Sequence, residues 1–154
     1  MADQQELDEE IRHVLTEIRM VLPGAQALVG FQLIVVLLQE FDKLPESLKQ
    51  LHLLSLGLMT LAVILLMTPA AYHRIVLKGE NTAEFHQTAG RMLLLSLIPL
   101  ALGVAGSFYI VAWKVLGSVS AAVITAALLV LNFGYWFGWP AYQRRLERRQ
   151  RKGS

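Results

Sequence analysis

Cysteine is absent from this chain of 154 residues, which excludes a disulfide framework and a thiolate metal site. Charge is scarce as well. Acids and bases make up 17% of the residues, and none falls within 20–39, 50–73, 92–113 or 115–143. Acids deep inside apolar segments are the usual marks of proton relays and ion-coupled exchange, and these runs hold none. The basic leader of a secretory signal is missing too, because the chain opens Ala2-Asp3-Gln4-Gln5-Glu6. The first apolar run is therefore expected to stay in the mature protein. No nucleophile paired with a base, no P-loop and no Gly-rich dinucleotide turn occurs, so neither an enzyme nor a cofactor is expected.

What remains is apolar. The four uncharged runs fill 95 of the 154 positions, and roughly 20 apolar residues suffice for a helix to cross the hydrocarbon core. A soluble chain would show polar faces at period 2 or 3.6, yet 51–71 is Leu-rich all round, broken only by His52, Ser55, Thr60 and Thr68. The expected fold is all-α: a four-helix transmembrane bundle over 20–143, preceded by an amphipathic interfacial helix over 1–22 and followed by a basic tail over 144–154.

The charges that do occur are unevenly placed. With four spans, both termini and the 74–91 loop share one side, which holds 11 of the 14 Lys and Arg residues. Only Lys43, Lys49 and Lys114 lie opposite. By the positive-inside rule both termini are expected to be cytoplasmic. The tail bases Arg144, Arg145, Arg148, Arg149, Arg151 and Lys152 read either as topogenic charge or as a contact for anionic headgroups. Nucleic acid is not an expected partner.

In the first 22 residues, Leu7, Ile11, Val14, Ile18 and Val21 form one apolar stripe at helical spacing. Such a helix lies on the membrane or against the bundle, or it dimerises through a coiled-coil seam. Asp8 and Arg12 have the spacing of an i,i+4 ion pair. Pro23-Gly24 is expected to bend the chain into the first span, Ser47 to cap the second, and Lys114 to mark a tight turn between the third and fourth.

Candidate functional groups are few. Counted at about 1.5 Å per residue, Gln32, Thr60 and Asn132 lie near one depth, which suggests a polar layer inside the bundle; Gln26 is a further first-span amide. That layer is either helix–helix glue or a permeation site. Gly134/Gly138, Gly103/Ser107 and Ser118/Ala122/Ala126 are small-residue patterns of close helix contacts. His13, His73 and His86 share a side with Glu17 and Glu84, but no ligand spacing supports a metal site. None is assigned.

Thr16-Glu17-Ile18-Arg19, Leu22-Pro23-Gly24-Ala25-Gln26-Ala27-Leu28 with Gly30-Phe31-Gln32, and Thr68-Pro69-Ala70-Ala71-Tyr72-His73-Arg74-Ile75 together resemble a bacterial family of small four-span membrane proteins of unknown function. The resemblance covers about residues 8–140 and rests on Glu17, Arg19, Gln26, Phe31, Pro69, His73 and Arg74. Some members carry a sodium:proton antiporter label, but the deep acids such an exchanger would use are missing here. The resemblance implies a cytoplasmic cluster of Glu17, Arg19, His73 and Arg74, with Glu17 paired to Arg74. Three functions stay open: a non-enzymatic module (accessory subunit or self-associating scaffold), a small oligomeric transporter or channel, and a lipid-binding or cation-sensing protein.

Overall fold

The structure is a computed structural model that describes residues 2–78 and 82–153, with side chains for 5–78 and 82–150. Among the described residues it is all helix: α1 (Ala2–Val35), α2 (Gln39–Asp42), α3 (Glu46–Ile75), α4 (Ala83–Leu116), α5 (Ser118–Phe133), a π-helical turn (Gly134–Gly138) and α6 (Trp139–Gly153). Four stretches are long and apolar enough to cross a membrane: Gln5–Val35, Glu46–Ile75, Ala83–Leu116 and Ser118–Gln150. The chain divides into two compact units, Met1–Val104 and Ala105–Ser154.

In the first unit, α1 and α4 begin well before their uncharged runs. The expected break at Pro23 is absent, and α1 passes through it. Proline removes only its own N–H, so one carbonyl, that of Arg19, loses its helical partner. Burial on both sides of Pro23 offsets that loss. Ile18 and Ala25 are both buried, in a core with Ala62 and Leu66 of α3 and Leu100 of α4. Nearer the N-terminus, Ile11 packs against Phe85 and Ala89, with Leu7 and Val14 flanking. The stripe at 7, 11, 14, 18 and 21 thus packs against neighbouring helices of its own chain. At the i,i+4 spacing of Asp8 and Arg12, the Arg12 Nε donates to the Asp8 carbonyl oxygen at 3.2 Å.

The ends of the helices also differ from expectation. α1 stops at Val35, and the short α2 precedes α3. There Lys43 Nζ donates to Glu40 at 2.6 Å. That hydrogen bond first, and then the Glu40 charge, raise the Lys43 pKa above its ordinary value. The small stabilisation is present at neutral pH and is lost as pH rises through the raised pKa. Pro45, not Ser47, occupies the N-cap of α3. Thr82 caps α4, its Oγ1 accepting the Phe85 N–H at 3.2 Å. α3 and α4 meet closely at Gly103, where a Cβ would lie 2.8 Å from the Ser55 carbonyl oxygen.

In the second unit, α4 runs on through Lys114 to Leu116, and the reversal falls at Gly117 with φ 81°. Only glycine takes that left-handed value at no steric cost. The fourth apolar run is not one α-helix. Its Gly134 and Gly138 delimit the π turn and are exposed. That turn lies immediately before Pro140, which has no N–H for the Trp136 carbonyl. The basic residues after 143 continue α6 as helix, although the side chains of Arg151 and Lys152 lie outside the described residues.

Candidate functional site

Antiparallel packing of α1 on α3 leaves a groove of about 700 Å³ at the end of the pair that carries Arg19 and Arg74. Leu15, Ile18 and Leu22 of α1 lie three and four residues apart and form one wall. Leu66, Met67 and Ala70 of α3 form the other. Its rim is basic, with Arg19, His73, Arg74 and Lys78. The groove is therefore polar at one end and apolar along its length.

Of the four residues singled out in the sequence, Arg19, His73 and Arg74 meet in this groove. Glu17 does not line it. It sits one position out of the buried register of Ile18, is exposed, and forms no ion pair with Arg74 among the described residues. Lys78 joins the rim unannounced. Its φ of 49° is left-handed, a strained conformation for a residue with a Cβ, and it lies in the turn just beyond α3. The His73 ring lies 4.8 Å from that of Phe85, and the Tyr72 ring stacks on Phe85 at 6.4 Å.

Of the residues expected in a polar layer, Gln32 is buried, whereas Thr60 is exposed and turns its hydroxyl back onto the Leu56 carbonyl at 2.9 Å. In the second unit, Asn132 buries an Oδ1 with no hydrogen-bond partner among the described residues, as does Thr125 at its Oγ1. Gln26 is exposed. His52 Nε2 lies 3.0 Å from the Gln32 carbonyl oxygen. A carbonyl only accepts, so Nε2 carries the proton. Gln32 stands in the last turn of α1, and the buried His52 adds a donor to it from α3. Its ring also meets Phe41 edge-on at 5.1 Å. His52→Phe keeps a ring and removes the donor. It is expected to cost about 1 kcal/mol, the scale of an interhelical hydrogen bond in a membrane protein. Thr60→Val is expected to be neutral within about 0.5 kcal/mol. Unfolding titrations in mixed micelles compare the two directly.

The histidines do not converge. His86 Nδ1 lies 3.5 Å from a Glu10 carboxylate oxygen, His73 packs on Phe85, and His52 donates to the last turn of α1. Among the described residues no three His, Asp or Glu side chains gather as metal ligands do.

A family of unknown function, DUF6328, matches residues 2–140. The chain belongs to this family. No curated protein and no solved structure matches it.

In this DUF6328 member, two features of the site had no sequence signal. Lys78 belongs to the groove because the chain turns left-handed there, and Lys78-Gly79 would ordinarily place that conformation on the glycine. His52 went unassigned because its partner is a backbone carbonyl twenty residues away, which no side-chain pattern records. The burial of Phe85 was hidden in the same way, since it precedes the third uncharged run by seven positions.

Proposed function

We propose that this protein is a non-enzymatic module of the bacterial cytoplasmic membrane, crossing it four times with both termini inside, and acting as an accessory subunit or self-associating scaffold. The observation that carries this reading is how the polar groups of the helices are disposed. The α3 hydroxyls turn onto their own helix: Ser55 onto Leu51 at 2.8 Å, Thr60 onto Leu56, and Thr68 onto Ile64 at 2.8 Å. Ser96 of α4 does the same toward Leu93 at 2.6 Å. Hydroxyl protons so occupied are not offered to a neighbouring helix or to a passing anion. The acids, lysines and arginines all lie outside the four uncharged runs, and His52, inside the second, is engaged by a backbone carbonyl.

A second reading, an oligomeric transporter or channel, draws support from Thr125 and Asn132. They lie seven residues apart on one face of α5, each with a buried unpartnered oxygen. Ion or dye flux in proteoliposomes separates the two readings. The module predicts flux no greater than in empty vesicles, with Gln32→Leu and Asn132→Leu alike; flux abolished by Asn132→Leu would overturn it.

Orientation is open to direct measurement because the chain has no native cysteine. Single cysteines at Gln5, Leu44 and Gln150 are expected to react with an impermeant maleimide in intact cells only at position 44. Labelling of the other two before permeabilisation would reverse the topology.

A further inference from the structure

We propose that the groove between α1 and α3 binds an anionic phospholipid, its phosphate held by Arg19, Arg74 and Lys78 and its upper acyl chain lying along Leu22, Leu66 and Met67. This rests on the reading that the helices span a membrane. Arg19 is the last residue before the first uncharged run and Arg74 the first after the second, so the rim stands at headgroup depth. Leu22 of α1 and Leu66, Met67 and Ala70 of α3 lie on the hydrocarbon side of that rim, and Leu15 and Ile18 on its cytoplasmic side.

Among the described residues, the rim's arginines and lysine have no counter-charge. Arg19, Arg74 and Lys78 take part in no ion pair among the described residues, and the nearby Glu17 does not line the groove. Three like charges around one cavity repel unless an anion joins them. Guanidinium groups fit a phosphate through paired N–H donors, and a lysine adds a point charge. Lys78 lines this rim from the turn after α3, with a left-handed φ of 49° that costs of order 1–3 kcal/mol. A free phosphate would use the rim and leave the walls empty, whereas a phospholipid matches both. The volume of about 700 Å³ is that of an ordinary small-ligand site, which suits the headgroup and upper acyl segment, with the rest of the lipid left in the bilayer.

The test is native mass spectrometry of the full chain in detergent, titrated with phosphatidylglycerol, phosphatidylcholine or inorganic phosphate. One phosphatidylglycerol is expected to bind selectively, with excess phosphate failing to displace it. Arg74→Gln and Lys78→Gly should each weaken that binding about fivefold. Lys78→Gly is the sharper variant. It relieves the left-handed backbone, so its unfolding midpoint should hold or rise while its lipid affinity falls. Replacing Arg144, Arg145, Arg148 and Arg149 by Gln should leave the single bound lipid in place. Equal binding of phosphatidylcholine, displacement by phosphate, or loss of binding on changing only those α6 arginines would each overturn the assignment. Recovery of the chain in the detergent-free soluble fraction would instead refute the membrane reading beneath it.

Discussion

Replacing Phe85 by alanine is expected to lower the stability of the folded chain by about 3–5 kcal/mol, the usual cost of deleting a buried phenyl ring. Phe85 is 1% exposed and joins three elements. It packs with Ile11 of α1 and Ala89 of α4, and its ring meets those of Tyr72 and His73 at the end of α3. Its backbone N–H is held by the Thr82 cap, so the ring cannot shift far to refill the void. Phe85 lies outside the uncharged third run, so lipid is poorly placed to take the ring's place. Phe31, 67% exposed, serves as the control: Phe31→Ala should stay within about 0.5 kcal/mol. If titrations into denaturing detergent give the two variants equal midpoints, the three-way junction at Phe85 is not a stabilising contact.

The second large effect has the opposite cause. Gly103→Leu should separate α3 from α4 and cost about 3 kcal/mol, with Gly103→Ala nearer 1 kcal/mol. A Cβ at 103 would lie 2.7 Å from Met59 Cγ, 2.8 Å from the Ser55 carbonyl oxygen and 3.2 Å from the Met59 amide nitrogen. The methionine side chain can swing away, but the other two atoms are α3 backbone. Relief therefore requires moving a helix. Gly57 supplies the contrast, because its Cβ would meet nothing within 4 Å. Gly57→Ala should be neutral or stabilising by up to about 1 kcal/mol, as the helix propensities require. A midpoint shift of the same sign for both alanines would rule out steric closeness as the reason for glycine at 103.

How legible was this molecule before its structure? The helices were, because lengths of uncharged apolar sequence this long admit few other conformations. The stripe from Leu7 to Val21 was also legible, since helical spacing records which face is buried. Its partners were not, because the stripe fits a membrane surface, a coiled coil or a bundle equally well. The turn was placed at Lys114, where charge suggested a boundary, but a helix end tolerates a lysine and the backbone turns at Gly117. The family resemblance grouped Glu17, Arg19, His73 and Arg74, and the groove is lined by the last three. Glu17 is set apart because helical rotation by one residue from the buried Ile18 carries it to another face. Lys78 and His52 were invisible for a shared reason, as one depends on a backbone dihedral and the other on a carbonyl.

The unbroken course of α1 and α4 has a mechanical consequence. Each has 34 residues, or about 51 Å at 1.5 Å per residue, against a hydrocarbon thickness of about 30 Å. Their N-terminal thirds are clasped together by Ile11, Phe85 and Ala89. Beyond that clasp each helix contains one proline within its apolar run, Pro23 in α1 and Pro99 in α4, where a helix bends most readily. If a bilayer of different thickness changes the tilt of the apolar segments, those prolines absorb part of the change before it reaches the clasp.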